Sequence, residues 1–435
     1  MHLPLARQRR RRAAAAAAPR RGRQPGGGRG APRPAVAGRG DRGPPREGEA
    51  EDRDLTPAPG ARTPDVPSRP FEPSPPRDLT LPTPGSQTAR AIFSMALRKL
   101  FEDLKGLRLP HLDADASADY RTLRETLVGF LPGRPGAVAS LLRSPTVSAP
   151  LRCLLHGLHD TPAYVAELVG QSLYALHRDG LLPSGTRMAA PPALFASPRH
   201  DASQAAPRHP VVFDQLPAPD RKRHHPITDS LLLAEVDTNP VRLTDAHPDK
   251  AGNAIDLGGR APAEWCASLR AALDLVERAL PDVRREMDLG LSLVVPVGYD
   301  EEKHLSASYR EAIGTLYLTL HPDPVVMAEA LVHEFSHAKL NALLELDPVL
   351  QNDWEAIHPS PYRPDPRPMM GVLLGAHAFV AVARFLDAID PPGMARRRSE
   401  LATKNRAAVA TLREAARPTP VGAGLIDELD RLTSD

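Results

Sequence analysis

Cysteine is nearly absent. Two thiols, Cys153 and Cys266, stand 113 positions apart. There is neither a CxxC pair nor a disulfide framework, and a reducing, cytoplasmic location is expected. No apolar run approaches 18 residues, so no transmembrane helix and no membrane partner are expected. Six alanines, Ala13 to Ala18, follow Arg9 to Arg12 and end at Pro19. They are too short and too weakly apolar for the core of a secretion signal. Lysine is missing before Lys99 although arginine abounds, and aliphatic periodicity is missing from residues 1–90.

What that first stretch does contain is Arg, Pro, Gly and Ala. The chain carries 49 prolines in 435 residues, many of them before residue 90. Its net charge of +2 hides an asymmetry: residues 1–50 hold 13 Arg against Asp41, Glu47 and Glu49, a surplus of 10 that leaves the remainder mildly acidic. A nucleic-acid partner is therefore not expected for the folded part. Residues 1–90 bury too little apolar surface to offset chain entropy and read as a disordered tail. Three roles fit it: a solvated tail, a basic arm for phosphate-bearing partners, or leader translated from GC-rich codons upstream of a true start near Met95.

Helical spacing begins at Ala91. Residues 91–182 read as a helical block, with helices expected at 92–106, 117–131, 135–143, 148–158 and 162–178. Residues 183–228 are rich in Pro, Ala and His and read as an irregular connection. Residues 229–435 form the expected metal-binding catalytic domain. Strands are expected at Leu231 to Val236, Leu291 to Val295 and Ala312 to Leu320. One helix is expected over 262–288, a main helix from Pro324 stopped by Pro348, and further helices at 369–389, 394–416 and 420–433. Asp323 caps the main helix and Pro324 suits its first position. The expected fold is α+β and mainly helical, with a small antiparallel sheet flanking the metal helix in a zincin-like core.

That main helix carries His333-Glu334-Phe335-Ser336-His337. At about 100° per residue the two histidines lie about 40° apart and converge on one ion, with Glu334 close enough to reach a metal-bound water. With 16 His in the chain, chance supplies roughly 0.03 such HExxH matches, so the motif reads as a site. Two imidazoles make a poor site and a third ligand is required. The extended HExxHxxGxxH pattern is absent, because Leu340 and Leu343 occupy the diagnostic positions. His377 is the preferred candidate. It lies on an apolar helix where Gly375 and Ala376 would admit a close helix neighbour, and a polar ring there must have a partner. His358, Glu345 and Glu355 are the other candidates. His224 and His225 beside Arg221-Lys222-Arg223 read as a solvated charge run, while His304 and residues 306–310 are placed to edge the cleft.

Around the motif, His321-Pro-Asp-Pro-Val-Val-Met-Ala-Glu-Ala-Leu-Val-His333-Glu-Phe-Ser-His337, together with Tyr362-Arg-Pro-Asp365-Pro-Arg367-Pro368 and the Gly371 to Val380 helix, resembles the HEXXH-motif proteins of peptide natural-product gene clusters. Ala137 to Val147 and Pro418 to Gly422 are also similar. The resemblance covers roughly residue 120 to the end and is most specific over 305–385; 183–260 is only loosely similar and 1–90 lies outside it. Ser336 replaces the glutamine commoner in that family. The resemblance implies an iron- and 2-oxoglutarate-dependent peptide β-hydroxylase, a dioxygenase acting on a ribosomally made precursor peptide. It further implies that His333, His337 and His377 hold Fe(II), leaving positions for 2-oxoglutarate and O2. Arg367 is the candidate fork for the distal carboxylate of 2-oxoglutarate, with a pair to Asp365 or a loop cap as its other roles. Glu334 then orients a ligand or adds a carboxylate near the iron.

Spacing alone supports a zinc metallopeptidase equally well, with Glu334 deprotonating the bound water. A third reading is a metal-free protein that binds a leader peptide through its helical block.

Overall fold

The computed structural model describes residues 77–130, 133–158, 161–207, 210–219, 223–242, 254–352, 354 and 357–434. The expected tail lies outside the described residues as far as residue 76.

Five helices come first: α1 Thr88–Gly106, α2 Ala114–Phe130, α3 Pro135–Arg143, α4 Pro145–Leu155 and α5 Pro162–Arg178. Proline opens α3, α4 and α5, where its missing N–H costs nothing. Leu100, Leu123, Leu151, Leu168 and Leu173 are among the residues of the core they share. The stretch expected to be irregular is built onto this core. β1 Arg187–Met188 pairs with β4 Val211–Val212, and β2 Leu194–Ser197 pairs with β3 Ala202–Ala205, both antiparallel. Phe195 stacks on Tyr174 at 5.2 Å and Phe213 leans on Phe195. Two aromatics in a Pro- and Ala-rich segment thus anchor it, a signal that periodicity does not register.

The second half begins with β5 His224–Pro226 and β6 Leu232–Ala234, then α6 Pro262–Ala279 and α7 Pro281–Gly290. The single helix expected over 262–288 is two, because Pro281 can neither donate its hydrogen bond nor follow a helical residue without strain. β7 Leu293–Tyr299, β8 Ser306–Ala307 and β9 Thr315–Leu320 complete a five-stranded sheet of order β5-β6-β7-β9-β8. The small two-stranded sheets are antiparallel. The sheet beside the HExxH helix is mixed, parallel across β6-β7 and β7-β9 and antiparallel at its edges. Leu293 to Val297 is buried without a break, the pattern of a parallel strand covered on both faces. His224, expected in solvent, is buried in β5, and burial pushes its imidazole down to about 4.

α8 Pro324–Leu344 is the HExxH helix, and Asp323 accepts the Val325 N–H at 2.8 Å at its start. Every residue from Met327 to Leu343 is buried, on all faces of the helix. The helix packs against α1, α6, α7, β8, β9 and, after the hairpin β10 His358–Ser360 and β11 Arg363–Arg367, against α9 Met369–Ile389. α10 Ala395–Ala415 and α11 Pro420–Ser434 close the fold over α9. α9 is long and apolar enough to cross a membrane by composition, but most of it is covered by α6, α8 and α10.

The boundary expected near residue 90, and with it a start near Met95, does not match the packing. Asp78 to Leu81 runs as a strap through the core, with Leu79 1% exposed. Glu428 of α11 accepts the N–H groups of Leu79 and Thr80 at 2.8 Å each and that of Leu81 at 3.2 Å. Lys339 of α8 donates to the Asp78 carbonyl at 2.9 Å and to Glu286 of α7 at 2.8 Å. Four residues are too few to show periodicity, so only their partners reveal them.

Two outcomes follow from this packing. A chain beginning at Met95 leaves Lys339 and Glu428 buried without their backbone partners. Denaturant unfolding should show it less stable than the full chain by on the order of 3–5 kcal/mol. The second concerns Asp237, which accepts from Tyr317 Oη at 2.9 Å and whose carboxyl burial pushes up to about 6. A raised carboxyl holds its proton in the folded state, so stability falls as pH rises from about 4 to about 6, by at most about 3 kcal/mol. Unfolding of Asp237→Asn across that window should lack this slope; an unchanged slope would remove Asp237 as its source.

Candidate metal centre

The sequence places His333 and His337 one turn apart on α8, and the structure brings their rings together. The two Nε2 atoms are 3.0 Å apart, one donating to the other, with the rings edge to face. Two nitrogens each about 2.1 Å from one ion stand about 3.0 Å apart at a right angle and about 3.4 Å apart at a tetrahedral angle. The pair therefore fits a shared metal, and its separation is closer to the right-angled arrangement. Glu334, also buried, has an Oε2 with no hydrogen-bond partner among the described residues. An unmet buried carboxylate oxygen beside the pair suits an ion or its water.

An aromatic stack fixes His333. Its ring meets Phe379 of α9 at 4.8 Å, and Phe379 stacks on Tyr362 at 4.6 Å. Tyr362 in turn donates to Asn405 Oδ1 at 2.7 Å. Gly375 serves this stack: a Cβ there would lie 2.8 Å from the Tyr362 ring. The small residue expected to admit a neighbouring helix admits the Tyr362 side chain of the hairpin instead.

His377 does not join the pair. Residues two apart on a helix face nearly opposite ways, and Phe379 takes the side toward His333. His377 Nε2 donates to the Leu79 carbonyl of the strap at 3.2 Å. Burial pushes the imidazole down to about 3, with the Leu79 carbonyl opposing and Lys339 and His337 adding to the fall. The neutral ring is held in the core by the Leu79 carbonyl at Nε2, while its Nδ1 is buried with no hydrogen-bond partner among the described residues. Glu345 lies near Arg152 and His156, at 3.9 and 3.7 Å. His358 is half-buried on β10, and Glu355 lies outside the described residues. Among the described residues, no three His, Cys, Asp or Glu side chains form a metal-ligand set. Arg367 makes the alternative contact, to Asp365 at 3.4 Å.

Beside His333 lies a cavity of about 70 Å³, lined among others by His304 and Ser306, as the edge of the cleft was expected to be. It also holds residues that the sequence did not single out. Glu329 sits one turn before His333, and Arg397 comes from α10 to pair with it at 2.5 Å. Burial pushes the Glu329 carboxyl up, with Arg397 opposing. The one sequence signal for Glu329 is its spacing of four from His333. Arg397 sits inside the run Arg396-Arg397-Arg398, which looks like any solvated helix face.

No protein-family model matches the chain, and no curated protein matches it significantly.

Chelator competition separates the histidines. His333→Ala and His337→Ala should weaken metal binding by more than about a hundredfold, since losing an outer partner alone costs about 10- to 100-fold. His377→Gln should bind metal within a few-fold of the parent and lose about 1–3 kcal/mol of unfolding free energy. Loss of metal by His377→Gln to the extent seen in His333→Ala would return His377 to the ligand set.

Proposed function

We propose that the protein is a metal-dependent peptide β-hydroxylase that uses Fe(II), 2-oxoglutarate and O2 to hydroxylate a side-chain β-carbon of a ribosomally made precursor peptide. The observation that carries the proposal is the meeting of His333 and His337 Nε2 at 3.0 Å beside a cavity. The resemblance over 305–385 directs it toward iron rather than zinc.

In this reading His333 and His337 would supply two of the ligands, and no third His, Cys, Asp or Glu joins them among the described residues. Bound iron with 2-oxoglutarate and O2 supplies the oxidation, with 2-oxoglutarate leaving as succinate and CO2. The chain's own residues do the rest. Phe379 and Tyr362 keep the His333 ring from turning. Phe379, Val382 and Ala330 give the cavity an apolar wall that sheds water, which strengthens polar contacts made inside it. Lys339 ties α8 to the strap and to α7 through the Asp78 carbonyl and Glu286, support of the kind that holds a site in place.

A zinc peptidase is the second reading, and Glu334 favours it. Its unpartnered Oε2 is what a general base on a metal-bound water offers. A metal-free peptide-binding role leaves the paired imidazoles and Glu334 without a task.

The deciding experiment uses the full chain, purified without oxygen and loaded with Fe(II). After addition of 2-oxoglutarate and O2, succinate should form, and it should disappear in His333→Ala and in the Zn(II)-loaded protein. Absence of succinate, with zinc retained through purification and cleavage of a peptide library that Glu334→Gln abolishes, would establish the peptidase.

A further inference from the structure

Asn405 lies on the buried stripe of α10, with Leu401 on one side and Ala408, Val409 and Leu412 on the other, and is itself 2% exposed. Its neighbours Lys404 and Arg406 give it the look of a solvated turn. A leucine at such a position would add packing, whereas a buried amide must be met at both ends. Both ends are met. Nδ2 donates to the Phe379 carbonyl of α9 at 3.0 Å, and Oδ1 accepts from Tyr362 Oη at 2.7 Å. A carbonyl can only accept, so the first bond fixes which end of the amide faces Phe379 and leaves its oxygen for the tyrosine.

These two partners are the residues whose rings hold His333. The Phe379 ring lies between Tyr362, stacked on it at 4.6 Å and 25°, and His333, inclined to it at 4.8 Å and 61°. One bond sets where the Phe379 backbone stands, and the other sets where the Tyr362 ring stands. The Phe379 ring is thereby clamped, and the imidazole packed on it is clamped in turn. Gly375 points the same way, since a Cβ there would meet the Tyr362 ring at 2.8 Å and push it out of the stack. Joining the hairpin to α10 needs the tyrosine alone. The bond to the backbone of the residue that touches His333 is what a joining role leaves unexplained.

We propose that Asn405 is a positioning residue of the metal centre, orienting the His333 imidazole through Tyr362 and Phe379 without touching the ion. Outer contacts that fix a ligand's ring set how well it binds the metal. The assignment rests on the metal-centre reading that the hydroxylase and the peptidase share, and it holds for either metal.

The test reads metal binding, not turnover. Co(II) is the probe, because it replaces iron or zinc at imidazole ligands and its visible absorption reports their geometry. The full chain is loaded with Co(II) and its affinity is measured by chelator competition, with circular dichroism and thermal unfolding followed for each variant. Asn405→Leu, close in volume and unable to make either bond, should shift the Co(II) bands and weaken binding about 3- to 10-fold, less than loss of a direct partner of a ligand costs. Asn405→Asp keeps the acceptor for Tyr362, loses the donor to Phe379, and should fall between that variant and the parent. Tyr362→Phe keeps the stacked ring and loses only the hydroxyl. It should shift the bands in the same direction, and it decides the matter where Asn405→Leu fails to fold. His377→Gln is the control for lost stability: it also breaks a buried bond of α9, and it should keep the parent's bands. Asn405 and Tyr362 variants that lose stability yet keep the parent's bands and affinity overturn the assignment and leave the metal centre standing. A parent chain that binds no Co(II) overturns the assignment and the metal centre together.

Discussion

Burial of α8 on all its faces is the constraint on which the rest of the structure depends. A helix so enclosed cannot leave its polar side chains to water, so most are met by another element or by α8 itself, while Glu334 Oε2 is left unmet. Lys339 reaches the strap and Glu286, Ser336 bonds back to the Val332 carbonyl at 2.8 Å, and Glu329 takes Arg397. His333 and His337 meet each other. The helices around α8 therefore supply specific partners for its polar positions as well as apolar surface.

The strap shows how far this reaches. Four residues before the first helix are gripped by Glu428, Lys339 and His377, from three different helices. The strap saturates backbone groups that would otherwise need water, and it explains a histidine and a lysine that would otherwise be costly. It also explains the division of α9. One side presents Phe379 to His333; the other presents His377 to Leu79. A helix two residues further on has turned most of the way round, so one element serves the candidate centre and the core behind it without either intruding on the other.

Much of the architecture was legible from local rules. Proline at the starts of α3 through α8, the Asp323 cap, and the apolar runs of α9 and β7 mark elements whose causes lie within a few residues of themselves. The elements that escaped are those held from a distance. β1 to β4 are two to four residues long and are anchored by Phe195 and Phe213 on α5. The strap has no pattern of its own. The split of α6 from α7 was legible at Pro281, where the apolar stripe continuing through 283 and 287 masks the break.

The candidate site divides along the same line. The sequence by itself determined the pairing of His333 with His337, because a spacing of four on a helix is a geometric fact wherever that helix lies. It determined, too, that Glu334 stands beside them. Only the tertiary structure decided the fate of His377, since two helices can meet in many rotational settings and the one adopted turns Phe379, not His377, toward His333. Only the tertiary structure brought Arg397 to Glu329 across 68 positions of chain. No local rule links residues so far apart; their contact is set by how α10 folds back over α9.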